Sequence, residues 1–203
     1  MNPFTLSGQT SDIGLRRVVL IVAMANLAYF FVEFAVARQI GSVSLFADSI
    51  DFLEDTSVNL LIAIALGWSL KKRARVGMLL AGILLIPTAA LLWTACKKFI
   101  APTPPEPWLL SGTGFGALVV NLGCAFLLTR FRYHSGSLTR AAFLSARNDA
   151  LANIAIIAAG IITLRWLSGW PDLIVGIGIA IMNTDAARMV WRVARNEHTS
   201  AAA

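Results

Sequence analysis

Hydrophobic residues run through this chain in six long stretches, which short polar segments separate. The stretches cover residues 15–37, 43–70, 76–99, 108–131, 138–166 and 171–192. Each stretch is long enough to cross a bilayer as an α-helix, which takes about 20 residues. Because backbone groups in lipid must be hydrogen-bonded internally, the pattern predicts helices rather than strands. The expected fold is therefore all-α, a six-helix transmembrane bundle.

The composition agrees with a protein that lives in a bilayer. Of 203 residues, 57% are hydrophobic, and the mean hydropathy is +0.71. A water-soluble domain of this size is rarely so apolar. We expect an N-terminal tail at 1–14, a six-helix transmembrane domain at 15–192, and a short C-terminal tail at 193–203. We expect a multi-pass integral membrane protein, located in the bacterial inner membrane.

Basic residues predict the orientation of the bundle. If the N-terminus lies inside, twelve Lys and Arg residues fall on the inner side and four on the outer side, while Arg147 lies within the fifth segment. The outer four are Arg38, Lys97, Lys98 and Arg165. This bias places both termini in the cytoplasm. The net charge of +6 then reflects topology and contact with an anionic lipid bilayer, and no soluble basic domain is present that would bind nucleic acid.

Carboxylates inside the apolar segments carry the functional signal. Asp51 and Asp55 stand four residues apart in the second segment, and Asp149 lies in the fifth. Charged groups in hydrocarbon are expensive and usually have a task. Two carboxylates one helical turn apart, facing a third on another helix, make an oxygen-lined cation site. We therefore expect these three to bind a cation.

A short internal echo supports the same pairing. Asp55 is followed four residues later by Asn59, and Asp149 by Asn153. Ser145 precedes Asp149 by four residues, as Asp51 precedes Asp55. Counted along the two helices at about 1.5 Å per residue, Asp55 and Asp149 both reach roughly mid-membrane, so the two faces could meet.

The stretch GSVSLFADSIDFLEDTSVN resembles the second transmembrane helix of the cation diffusion facilitator family of metal-ion transporters. That family has Gly-Ser, then Leu-x-Ala-Asp, then His or Asp followed four residues later by Asp. SARNDALANIAII and GWPDLIVGIGIA are similar to its fifth and sixth helices. The resemblance implies a divalent metal cation transporter that exports metal in exchange for protons by alternating access, rather than an enzyme.

Carried over residue by residue, the resemblance implies a metal site at Asp51, Asp55, Ser145 and Asp149. Two departures stand out. Ser145 occupies a position that is commonly His or Asp, so Asn148, a water or Asp48 are further candidates for the fourth ligand. The chain also ends about ten residues after the sixth segment, so we expect no cytoplasmic metal-binding domain, and a homodimer remains open. Glu33 could relay protons or pair with Arg147.

Ligand chemistry narrows the cargo only in part. Oxygen ligands suit manganese and also accept iron, cobalt, zinc or cadmium. No resident cofactor is expected, since the chain has no Cys- or His-rich metal spacing. Two alternatives stay open. A CDP-alcohol phosphotransferase would also use an Asp-x-x-x-Asp pair, but its upstream Asp-Gly and Ala-Arg elements are missing. A cation channel would need a ring of ligands from several subunits.

The distribution of basic residues yields a prediction about topology. Reporter fusions placed at Pro104 and at Thr199 should report opposite sides of the membrane, because Pro104 lies in the third-to-fourth segment loop and Thr199 in the C-terminal tail. Alkaline phosphatase and green fluorescent protein fusions measure this. Both reporters on one side would refute the six-span topology.

Overall fold

Six helical segments make up the part of the chain that the computed structural model describes, residues 3–65, 86–129 and 136–182. They are α1 (Pro3–Ile40), α2 (Val43–Ala65), α3 (residues 86–100), α4 (Pro107–Thr129), α5 (Gly136–Arg165) and α6 (Trp170–Met182). No strand occurs in these residues. The predicted all-α fold is confirmed. The parts of the predicted segments at 66–70, 76–85, 130–131 and 183–192 lie outside the described residues.

Helix α1 is longer than its predicted membrane span. It begins at Pro3 and runs for 38 residues, so part of the expected N-terminal tail belongs to the same helix. Proline suits the first turn of a helix, where its missing N–H has no partner to lose. An α-helix satisfies its own backbone in water and in lipid alike, so a helix need not end where the apolar residues do.

Three described stretches are long and apolar enough to cross a membrane: Gly14–Ile40, Pro107–Thr129 and Asn148–Arg165. The outward surfaces of the helices are also apolar. Phe31, Phe126 and Trp166, for example, are each more than 60% exposed. Large exposed side chains of this kind face hydrocarbon in a membrane protein. Helix α2 carries four acidic residues, Asp48, Asp51, Glu54 and Asp55, and its three aspartates are buried in the bundle.

Side chains inside the bundle alternate between apolar and polar zones. One apolar cluster, near the α1–α2 turn, contains Phe46, Ile50, Leu110, Ile156 and Leu173. A second, toward the other end of the bundle, contains Leu15, Val19, Val22, Ile62 and Leu128. Buried polar residues of α1, α2, α4 and α5 lie along the helices between these two clusters. Helix α1 packs on α2 and α4, while α5 packs on α4 and α2.

The turn between α1 and α2 is short and requires glycine. Gly41 adopts a φ of +64°, in the left-handed region that side chains avoid. The N–H of Ser42 then donates to the carbonyl of Ala37 at 3.0 Å, which closes the end of α1. Ser42 also begins α2, because its hydroxyl accepts the N–H of Leu45 at 3.1 Å.

The first turn of α2 is held by a carboxylate from another helix. Asp172, fully buried near the start of α6, accepts the backbone N–H groups of Val43 at 2.8 Å and Ser44 at 3.1 Å. It also accepts the hydroxyls of Ser42 and Ser44, each at 2.6 Å. A negative charge at this position satisfies the free N–H groups and favours the helix dipole.

Lys98 of α3 completes this junction. Its ammonium lies 2.8 Å from Asp172 and is almost fully buried. Gly176, one turn further along α6, lets the two helices touch, since a Cβ there would lie 2.7 Å from the backbone nitrogen of Ser44. The junction of Ser42, Ser44, Lys98 and Asp172 therefore joins α2, α3 and α6 at one end of the bundle.

We predict that Asp172→Asn destabilises the protein by about 3–5 kcal/mol, because it leaves the buried Lys98 ammonium without its counter-charge. Adding Lys98→Met to this variant should recover part of the loss. The measurement is thermal unfolding of the detergent-solubilised protein.

The control is Lys97→Met, which removes an exposed ammonium that lies 5.0 Å from the Trp93 ring centroid. That change should cost no more than about 1 kcal/mol. An Asp172→Asn protein that melts together with the Lys97→Met protein would contradict the assigned role of the junction.

Candidate metal site

Helix α2 presents a line of acidic residues to the interior of the bundle. Asp48 is fully buried, and Asp51 and Asp55 are each 7% exposed. Their spacing of three and four residues places them on one face of the helix. Glu54 is half-buried on a neighbouring face. The predicted inward face of the second segment is therefore present in the structure.

Helix α5 brings Asp149 to this face. Its carboxyl group lies within hydrogen-bonding reach of Asp55, and Asp51 also interacts electrostatically with Asp149. One oxygen of Asp149, Oδ2, is buried and has no hydrogen-bond partner. Because Asp48 meets Asn153 while Asp55 meets Asp149, the two helices run antiparallel here. We call Asp51, Asp55 and Asp149 the acidic cluster.

The structure locates the remaining candidate ligands less completely. Ser145 belongs to α5, one turn before Asp149, but its side chain lies outside the described part, as does that of Arg147. Asn148 is exposed. Where side chains are described, no three His, Cys, Asp or Glu groups converge at a spacing that holds a metal ion. Within the acidic cluster, Asp55 and Asp149 lie within hydrogen-bonding reach of each other.

Asp48 has its own partners, apart from the acidic cluster. Its Oδ2 accepts a hydrogen bond from the side-chain amide of Asn153. Asn121 of α4 donates in turn to the amide oxygen of Asn153 at 3.0 Å. On the other side, Glu33 of α1 brings its carboxyl group within hydrogen-bonding reach of Asp48. A polar chain therefore connects α4, α5, α2 and α1 through buried side chains.

The two asparagines of the sequence echo have different contacts. Asn153 bonds across the helix interface to Asp48, whereas the side-chain amide of Asn59 donates to the backbone carbonyl of Asp55 in its own helix at 2.8 Å. The echo therefore marks positions and not equivalent roles. The bond from Asn153 stabilises a buried negative charge on Asp48. The bond from Asn59 goes to a neutral backbone carbonyl.

Sequence reasoning missed the amides on α1 and α4. Asn26 and Asn121 are buried in otherwise apolar helices, and Asn26 accepts a weak bond from the Cys124 thiol at 3.7 Å. A lone amide within an apolar helix is a signal in itself, because burying one without a partner is costly. Tyr29 is a similar case. Its hydroxyl donates to the carbonyl of Thr113 at 2.6 Å.

Comparison with known protein families identifies one match. The model of the cation efflux transmembrane domain aligns with residues 19–195, which is most of the chain. The aligned region includes all of α2 and α5, and therefore the acidic cluster.

Individual relatives point the same way. The chain is 28% identical over 183 residues to the cation-efflux pump FieF of Salmonella typhi, an alignment that covers 82% of this chain and 59% of the pump. It is 25% identical over 207 residues to the zinc transporter ZitB of Escherichia coli strain K12, covering 95% of this chain and 64% of that transporter. ZitB of Shigella flexneri gives the same values. The chain thus spans about three fifths of the length of these relatives.

Proposed function

This chain belongs to the cation efflux family, and we propose that it carries a divalent metal cation out of the cytoplasm through the acidic cluster. The family consists of transporters, so the phosphotransferase alternative is excluded. The chain is an integral membrane protein, and the bacterial origin of its relatives supports a place in the bacterial inner membrane.

The observation that carries the proposal is the placement of three carboxylates inside a membrane-spanning bundle. Asp51, Asp55 and Asp149 come from two helices that pack together, and Asp55 meets Asp149 directly. Ionised carboxylates in such a place need a cation, and carboxylate oxygens are ligands for hard and borderline divalent ions. Both ligand helices belong to one chain, which fits a carrier better than the ring of ligands that a channel uses.

Asp51, Asp55 and Asp149 are the proposed ligands, and Ser145 or Asn148 is the proposed source of a fourth. Asp48 is not included, because Asn153 and Glu33 already engage it. The names of the relatives make zinc the first ion to test, with manganese, cobalt, iron and cadmium beside it. Exchange against protons follows if protonation of the same carboxylates on the far side expels the metal. Alternating access is the proposed movement between the two sides.

A metal panel in proteoliposomes tests this function. The purified full chain is reconstituted, a pH gradient is imposed, and uptake of each of the five ions is followed with an indicator enclosed in the vesicles. We expect uptake of at least one ion, coupled to movement of protons in the opposite direction. Uptake of none of them under any gradient would refute the proposal.

Replacing a ligand should stop transport. Asp51→Asn, Asp55→Asn and Asp149→Asn keep the shape of each side chain but remove its charge, and each should lower the rate of uptake by at least about tenfold, since even changes next to a metal ligand have effects of this size. The matched control is Glu106→Gln, an exposed residue at the start of α4. Near-normal transport by any two of the three variants would exclude the cluster as the site.

Ser145 offers a test of metal choice. Ser145→Ala should weaken transport only modestly, since a neutral oxygen attracts a cation far less than a carboxylate. Ser145→His adds a nitrogen ligand that favours zinc and titrates near neutral pH. This variant should prefer zinc over manganese more strongly and depend more steeply on pH between about 6 and 7. Competitive uptake of the two metals measures both, and an unchanged ratio and pH profile would show that Ser145 does not face the ion.

A further inference from the structure

Glu33 is a buried acidic residue whose carboxylate oxygens accept no hydrogen bond from the described residues. Its side chain is completely buried in α1, and neither carboxylate oxygen has a hydrogen-bond donor. The neighbouring Asp48 is also completely buried, and its Oδ1 has no donor either. The two carboxyl groups lie within hydrogen-bonding reach of each other. Each therefore offers the other the partner that it lacks, provided that one of them holds a proton.

Among the side chains that the structure describes, the groups that interact with Glu33 and Asp48 are acidic or neutral. Tyr29 of α1 faces the pair, as do Asp51 and Asp55 of α2, and these are all acidic groups. Asp149 of α5 also interacts electrostatically with Asp48, whereas Asn153 of the same helix is neutral. From α4 the nearest member of the network is Asn121, also neutral. The ion pair between Lys98 and Asp172 lies away from these two carboxyl groups, at the junction of α2, α3 and α6.

The amide network fixes which oxygen of Asp48 is left for Glu33. Asn121 donates to the oxygen of Asn153, so the nitrogen of Asn153 must point at Asp48. This bond occupies Oδ2 of Asp48 and leaves Oδ1 without a donor. Two buried carboxylates side by side repel each other strongly if both are charged. A single proton between them removes half of the charge and converts the repulsion into a short, strong hydrogen bond.

We propose that Glu33 and Asp48 form a proton-binding site that is separate from the metal ligands and releases its proton when metal binds to the acidic cluster. This inference rests on the proposed function of that cluster. Asp48 stands three residues before Asp51 on the same helix face, about 4.5 Å along the axis. A divalent charge arriving at Asp51 is therefore close enough to stabilise a doubly ionised pair, and the proton leaves to water. The two sites are linked, so proton binding weakens metal binding by the same factor.

The position of the pair along the bundle fits this role. Asp48 lies seven residues before Asp55, which places it about 10 Å nearer the α1–α2 turn than the deepest carboxylate of the cluster. With the predicted topology, that turn faces the outside. A proton entering from the outside thus reaches Glu33 and Asp48 before it reaches the metal ligands.

The first experiment counts protons without any metal. Infrared spectroscopy of the purified, metal-free full chain detects the carbonyl stretch of a protonated carboxyl group. Glu33→Gln and Asp48→Asn should each abolish the band of the shared proton, because an amide then provides the hydrogen bond and the remaining carboxylate is ionised. Glu106→Gln, an exposed residue with the same chemical change, should leave the band intact. A band that persists in both Glu33→Gln and Asp48→Asn would overturn the proposal.

The second experiment measures the coupling to metal. Calorimetric titration with zinc chloride at pH 7, in two buffers of different ionisation enthalpy, gives the number of protons released per metal bound. Glu33→Gln should release about one proton fewer than the unchanged chain, Asp48→Asn should lose the same amount, and the double variant should lose no more, since the proton is shared. A release equal to that of the unchanged chain in both single variants would mean that the pair has a structural role only.

The two hypotheses fail in different ways. If Asp51→Asn binds zinc as tightly as the unchanged chain, the metal site is wrong, while the infrared band still decides whether Glu33 and Asp48 share a proton. If Asp51→Asn loses zinc but Glu33→Gln keeps the full proton release, the metal site stands and the separate proton site falls. Glutamine at position 33 retains a donor for Asp48, and helix content by circular dichroism verifies that each variant is folded.

Discussion

The buried carboxylate of Asp172 determines where the active face of this protein points. It accepts five hydrogen bonds, from two backbone N–H groups, two serine hydroxyls and the ammonium of Lys98. The first turn of α2 is buried in the protein, so its free N–H groups need an acceptor from another side chain. Because Asp172 accepts hydrogen bonds from the first residues of α2, it fixes the rotation of that helix and its position along the bundle axis. Asp48, Asp51 and Asp55, which follow within a few turns, therefore face α1 and α5 and not the lipid.

The requirement that buried polar groups find hydrogen-bond partners also shapes the interior of the bundle. Apolar clusters near the α1–α2 turn and toward the opposite end enclose the buried carboxylates and amides along the helices. Asn153 donates to one oxygen of Asp48 and is itself held by Asn121, whereas the oxygens of Glu33 have no donor among the described residues. A bundle optimised only for stability would pair or remove such groups. Unpaired acidic groups inside a membrane bundle are costly, so their presence here indicates a role in the movement of ions.

Much of this could be read from the sequence because it is local. Apolar length predicted the helices, and the spacing of Asp48, Asp51 and Asp55 predicted a shared face. The match between Asp149 and Asp55 required only a count of residues from each helix end. Lys98 and Asp172 could not be paired in this way, since they are 74 residues apart and nothing in either segment marks the other. The sequence analysis counted Lys98 among the basic residues on the outer side of the membrane, whereas in the structure its side chain is buried. The bond from Asn153 to Asp48 and the bond from Asn121 to Asn153 were missed for the same reason, because both are contacts between helices.

Gly176 has a mechanical consequence. With no side chain at this position, the backbones of α6 and α2 lie in direct contact beside the Asp172 junction, and Lys98 ties α3 to the same point. Separating these helices would break the hydrogen bonds that Asp172 accepts from α2 and from Lys98. We therefore expect the ends of α2, α3 and α6 to move together. In the proposed alternating access, we expect opening on this side to displace α4 and α5, which pack closely on each other, relative to these helix ends. In that movement the interface between α2 and α5, where the acidic cluster lies, would separate.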